Sequence, residues 1–294
     1  MNSPPVHRSS FAGHRLLVIR LSAFGDVIHT IPAVVALKQF YDITWAVQRP
    51  YHQLVEIVSG VRAIAPSLRM RADVVVDFQG LIKSAVLARL TGAKERWGFA
   101  REFVREKPAA WFTNRHAQID PATHVIEWNL QLARAVAPGL SVPDVDFTPY
   151  AAAGPRGFEG RVVLIPGAGK PQKLWPVERF RELARQIGPK ALAVWGPGEK
   201  PMAEAMGVEV APPTSLRELA RVLRDASMVI GSDTGPLHLA AALGTPVIGL
   251  YGPTNPARNG PYRQIKNCVE TFTTTKSMRD ISVDAVLRKV EEMQ

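Results

Sequence analysis

Four apolar runs decide what this chain can fold into, because none of them alternates with polar residues. Leu16-Leu17-Val18-Ile19, Asp73–Phe78 with its Val74-Val75-Val76 centre, Met228-Val229-Ile230 and Pro246–Tyr251 are continuous. That is the pattern of strands buried on both faces of a parallel sheet. The first three run through a turn into helical periodicity, at Asp26–Leu37, after Gln79-Gly80 through Leu90, and at Leu237–Leu243. Parallel neighbours need such crossovers, so the repeat predicts a doubly wound α/β fold. The same reading places strands at Ile43–Val47, Arg161–Ile165, Lys190–Trp195 and Val208–Val210. It places helices at Tyr51–Val58, His124–Val136, Pro176–Ile187, Ser215–Arg224 and Ser282–Met293. Pro32 is expected to kink the first helix or delay its start.

From Pro138 to Gly160 prolines and glycines interrupt any periodicity, and the strand–helix alternation restarts beyond them. The expectation is a tail at residues 1–14 and two Rossmann-like domains, 15–150 and 151–294, with parallel sheets facing across a cleft. Ala93–Arg115 reads as irregular and basic. In open parallel sheets ligands gather at the carboxyl ends of the strands. Asp26, Gln79, Lys173, Glu199 and Asp233 all closely follow a strand.

Composition excludes several classes. Hydrophobic content of 46% with 21% charged residues is that of a globular protein. No apolar run approaches the roughly 18–20 residues of a membrane span, and Met1–His14 lacks the apolar core of a signal peptide. The single cysteine, Cys268, has no partner in the chain for a disulfide, which fits a reducing cytoplasm. A net charge of +10 favours anionic partners. Basic runs of nucleic-acid-arm density are absent and aromatics do not interleave with the charges, so nucleic acid is not expected.

The chemistry concentrates at Gly231-Ser232-Asp233-Thr234-Gly235-Pro236-Leu237-His238. A strand, a tight turn and a helix start aim free N–H groups and a positive dipole end at one point, which suits a phosphate. Pro236 fits the first helical position, where its missing N–H costs nothing. Pro166–Pro176 adds Gly167, Gly169, Lys170 and Lys173 between a strand and a helix, a plausible diphosphate clamp without P-loop spacing. Glu199, after Trp195-Gly196-Pro197-Gly198, suits either a ribose or its own helix start. Asp26 is placed either to cap a helix or to take a proton from an attacking hydroxyl. Gln79 and Lys83, with Arg101, Arg105 and Arg115, form a polar and basic set that could receive an acidic acceptor. His29 and His238 lack the ligand spacing of a zinc site. No G-x-S-x-G elbow is present, and no G-x-G-x-x-G follows Ile19.

Arg20–Pro32 resembles the opening motif of the bacterial lipopolysaccharide heptosyltransferases. Ser232–Pro246, continuing to Tyr251-Gly252-Pro253-Thr254-Asn255-Pro256, is similar to that family's second signature. The resemblance extends over about residues 15–290. Asp77–Ser84 and Phe112-Thr113-Asn114-Arg115-His116 look most like the branch that adds the first heptose to the Kdo sugar of the inner core. The chain departs from the pattern at Ile165, where many relatives carry histidine.

The resemblance implies a GT-B glycosyltransferase that inverts the sugar carbon, with ADP-heptose as donor substrate and neither metal nor other cofactor. It implies that Asp26 is the general base. Lys173, Glu199, Asp233, Thr234, Gly235 and His238 would bind the donor. Lys83 and Arg115 match the acceptor side by motif, while Arg101 and Arg105 are placed there by charge alone. The implied partners are a lipid-linked acidic sugar and an anionic membrane surface. The implied location is cytoplasmic, peripheral at the inner face of the inner membrane. The alternatives are a transferase using another nucleotide sugar or a protein acceptor, a sugar-nucleotide epimerase of the same fold, and a two-domain sugar-binding protein.

Overall fold

The computed structural model describes residues 14–152 and 154–293, so residues 1–13 of the expected tail lie outside it. The chain divides into two units, after Val145. In order, the first contains β1 (Arg15–Ile19), α1 (Phe24–Leu37), β2 (Asp42–Ala46), α2 (His52–Val55), β3 (Arg62–Ile64) and β4 (Val74–Asp77). It continues with α3 (Ile82–Leu90), β5 (Glu95–Phe99), β6 (Arg115–Ala117) and α4 (Val125–Val136). All its strands are parallel, in the order β3-β2-β1-β4-β5-β6. β1 and β4 are central, and their register pairs Ile19 with Asp77 at the carboxyl edge.

The second unit contains β7 (Val162–Ile165), α5 (Val177–Ile187), β8 (Ala191–Ala193), α6 (Lys200–Glu204), β9 (Glu209–Val210) and α7 (Leu216–Asp225). Then follow β10 (Met228–Ser232), α8 (Gly235–Ala242), β11 (Val247–Tyr251), α9 (Pro256–Asn259), β12 (Val269–Glu270) and α10 (Val283–Glu292). Its six parallel strands run β12-β11-β10-β7-β8-β9. Two doubly wound sheets of this kind are the α/β, GT-B-type architecture expected above.

The central strands are buried without alternation, as the apolar runs require. On the second unit Trp175 is fully buried, meets Phe180 edge-on at 4.7 Å and donates its indole N–H to Ile281 O at 3.0 Å. That contact ties the loop after β7 to the start of α10.

Several local expectations change. α1 runs through Pro32 from Phe24, with neither a late start nor a break in the helix. The segment read as irregular, Ala93–Arg115, holds β5 and the first residue of β6. The expected helix over Tyr51–Val58 shrinks to α2, after a 3-10 turn at Arg49–Tyr51. Lys190 belongs to a 3-10 turn, and β8 begins one residue later.

Candidate functional site

The sharpest constellation is at the carboxyl end of β10. Ser232 ends the strand, Thr234 is the extended residue before α8, and Gly235 and Pro236 begin the helix. One turn into α8, His238 places Nε2 3.0 Å from Asp233 Oδ1. From the 3-10 turn Pro171–Lys173 after β7, Lys173 Nζ donates to Asp233 Oδ2 at 2.5 Å and to Asp233 O at 3.4 Å. The side chains of Asp233 and His238 are 9% and 4% exposed, and that of Lys173 is 21% exposed. The structure therefore brings Lys173 and the Asp233–His238 motif together across 60 residues of sequence.

Burial alone would raise the Asp233 carboxyl. The hydrogen bond and charge of His238, joined by those of Lys173, outweigh burial and hold it far below the usual carboxylate range. The same buried negative charge adds to burial in pushing the Cys268 thiol up to about 12. The hydroxyls of Ser232, Thr234 and Thr254 are buried with no hydrogen-bond partner among the described residues. The N–H groups of Gly235 and Leu237 in the first turn of α8 have no partner within the helix, and Thr234 before them makes no side-chain cap. An ammonium, a helix start and fixed polar groups together can hold a diphosphate and receive its charge as it leaves.

Glycines shape this end of the sheet. A Cβ on Gly231 would lie 2.8 Å from Ile165 Cβ on the neighbouring β7. A Cβ on Gly167 would fall 2.1 Å from the Glu199 carboxyl, so that loop admits only a bare backbone there. Glu199 precedes α6, yet its Oε2 accepts from Gly196 N at 2.8 Å, upstream of the helix. Its carboxylate thus bridges the turns after β7 and β8.

The first unit carries a second constellation. Asp26 is in the first turn of α1, its side chain 36% exposed. Its Oδ1 lies 2.7 Å from Arg20 Nη2, and its Oδ2 accepts from Ala23 N at 3.3 Å. Gln79 reaches the same loop, its Oε1 accepting from Leu21 N at 2.9 Å and Ser22 N at 3.3 Å. Gln79 thus braces the loop after β1, a contact that its place in the basic, acceptor-facing set did not foretell. Sequence reading missed Arg20 altogether, although it stands inside the opening motif.

Lys83 is exposed in the first turn of α3, and Arg101 and Arg105 are exposed in the turn after β5. That turn packs on the start of α3 through Glu106 Oε2, which accepts from Ile82 N at 2.7 Å. Arg115 opens β6 level with Trp97, two residues short of the carboxyl edge of β5. These four cations form no ion pair among the described residues.

Residues 61–286 match the profile of glycosyltransferase family 9 (heptosyltransferase). The chain is 30% identical to lipopolysaccharide heptosyltransferase 1 of Escherichia coli K12, over 95% of this chain and all of that protein. It is 31% identical to the protein of the same name from Pseudomonas aeruginosa, over 84% and 81% of the two chains. Among solved structures, an E. coli heptosyltransferase with ADP superposes with a TM-score of 0.81 at 29% identity, covering 95% of this chain and all of that one. The same enzyme with ADP-2-deoxy-2-fluoro heptose gives 0.80.

Proposed function

The chain belongs to glycosyltransferase family 9, and from that premise we propose that it transfers heptose from ADP-heptose to the Kdo of the lipopolysaccharide inner core, with inversion. The observation that carries the donor half is the Lys173–Asp233–His238 cluster at the start of α8, in a chain about 30% identical to heptosyltransferase 1 proteins. Lys173 and the α8 start take the charge of the leaving diphosphate, while Thr234 and Gly235 present the helix start itself. Glu199 holds the ribose from the turn after β8. Because protein groups carry that charge, no resident metal is called for, and a chelator should leave turnover within twofold.

Asp26 is the general base in this reading. The acceptor hydroxyl gives it a proton while the hydroxyl oxygen attacks the sugar carbon and the bond to the diphosphate breaks. Lys83, Arg101, Arg105 and Arg115 meet the acidic acceptor. No helix among the described residues is long and apolar enough to cross a membrane. A net charge of +10 would draw the protein to an anionic cytoplasmic leaflet, where a lipid-linked acceptor is presented.

Three measurements test the assignment. In a binding screen of ADP-, UDP- and GDP-sugars, ADP-heptose should bind tightest, and a preference for a UDP- or GDP-sugar overturns the donor. Asp26→Asn should keep donor affinity and lose roughly 100- to 10,000-fold in kcat; near-normal turnover removes Asp26 from the base role. Lys173→Ala should weaken ADP-heptose binding by about ten- to a hundredfold by calorimetry, and unchanged affinity removes the clamp.

A further inference from the structure

The loop that presents Asp26 is held by the side chains of Asp77, Gln79 and Arg20. Asp77, at the carboxyl end of β4, is fully buried, and its Oδ1 accepts from Gln79 N at 2.9 Å and Gly80 N at 3.3 Å. Its Oδ2 accepts from Ser84 Oγ at 2.9 Å. That turn fixes the Gln79 backbone, and the Gln79 side chain then holds Leu21 N and Ser22 N, the second and third residues after β1. Gly80 closes the turn at φ +65°, a conformation that strains any other residue, and a Cβ there would lie 3.3 Å from Val104 Cγ1.

Arg20 works from the other side. One Nη donates to Phe78 O, next to Asp77, and the other pairs with Asp26 Oδ1 at 2.7 Å. Its side chain is 11% exposed, against 36% for Asp26. The guanidinium is thus anchored to the residue that follows β4 and grips one carboxylate oxygen. The second oxygen keeps only the long 3.3 Å bond from Ala23 N. An anchored guanidinium makes a charge-assisted bond to Oδ1 that is stronger than the bond a capping N–H makes to Oδ2.

We propose that Arg20 and Gln79 are positioning residues for the transfer, holding the β1–α1 loop so that Asp26 Oδ2 meets the acceptor hydroxyl. The proposal rests on the reading of Asp26 as base. The proton of the hydroxyl passes to Oδ2, the hydroxyl oxygen forms the new bond to the sugar carbon, and the electron pair of the broken bond leaves with ADP. Arg20 takes no proton. It keeps Oδ1 occupied and Oδ2 available, and Gln79 keeps the loop from turning the carboxylate away. A misplacement of about 1 Å at such a group can cost on the order of a hundredfold.

The test is steady-state kinetics of the full-length protein with ADP-heptose and Kdo-bearing lipid A, on Arg20→Met, Arg20→Lys, Gln79→Leu, Gln79→Glu, Asp26→Asn and the pair Arg20→Met/Asp26→Asn. ADP binding by calorimetry verifies that each variant is folded. Arg20→Met and Gln79→Leu should lose tenfold or more in kcat with KM for ADP-heptose within twofold. Arg20→Lys and Gln79→Glu, which keep the donor charge and the acceptor oxygen, should recover most of that loss. The pair should be no slower than Asp26→Asn alone, because orientation is worthless without the base. Near-normal kcat for Arg20→Met beside an inactive Asp26→Asn overturns the brace and leaves the base intact. So does a loss that multiplies in the pair, or a conservative variant as slow as the drastic one. Near-normal kcat for Asp26→Asn overturns the base reading, and the brace with it.

Discussion

Asp77 shows how one residue can serve a site at the expense of stability. Burial pushes its carboxyl up to about 6, against the pull of the Gln79, Ser84 and Gly80 hydrogen bonds and the Arg20 charge. The unfolded chain therefore ionises first, and the folded state is penalised as pH rises from about 4, in full above about 6. The interval from 3.8 to about 6 corresponds to about 3 kcal/mol as an upper bound. Asp77→Asn keeps an oxygen for Gln79 N and Gly80 N, and its amide can donate to Ser84 Oγ while that hydroxyl still donates to Leu81 O. Denaturant unfolding should find Asp77→Asn more stable than the parent at pH 8 and equal to it at pH 4. Equal stability at both pH values would contradict the burial argument. At this scale the sequence made Asp233 and His238 legible, because a strand end, a turn and a helix start lie within one stretch. Arg20 and Gln79 were not legible as a brace, since their hydrogen bonds span 58 and 57 residues and exist only once β1 and β4 pair.

Among the elements, continuous apolar runs located the central strands β1, β4, β10 and β11, because burial on both faces leaves no polar position. β3, β5, β6 and β12 escaped the same reading. They are outer strands, mostly short, with charged residues such as Arg62, Glu95, Arg96, Arg115 and Glu270 at positions that stay partly or fully exposed. Pro32 does not delay or end α1, because the helix is buried along most of its length and packs on α4, where Asn129 Nδ2 donates to His29 O at 2.9 Å. Tertiary contact outweighs a local penalty of about 3 kcal/mol. Gly231 is the element-scale counterpart, since its missing Cβ lets β10 lie against Ile165 of β7. Gly231→Ala should destabilise the protein by about 1–3 kcal/mol in a thermal melt. An unchanged melt would mean that the two strands separate easily.

On the scale of the whole molecule, each of the two parallel sheets carries one half of the proposed chemistry, Asp26 as base on the first unit and the α8 start as diphosphate site on the second. The two-domain plan was legible from alternation restarting after a Pro/Gly-rich stretch, and the structure divides within that stretch, after Val145. The net charge of +10 belongs to this scale too. Sedimentation with phosphatidylglycerol vesicles should be strong at low salt and lost at high salt, since screening acts within about 10 Å at 0.1 M. Binding indifferent to salt would remove the electrostatic account of membrane contact. The central claim is heptose transfer itself, and mass spectrometry of Kdo-bearing lipid A incubated with the purified protein and ADP-heptose tests it most directly. One added heptose with matching release of ADP is the predicted result; an unmodified acceptor, with transfer seen instead from a UDP- or GDP-sugar, would contradict it.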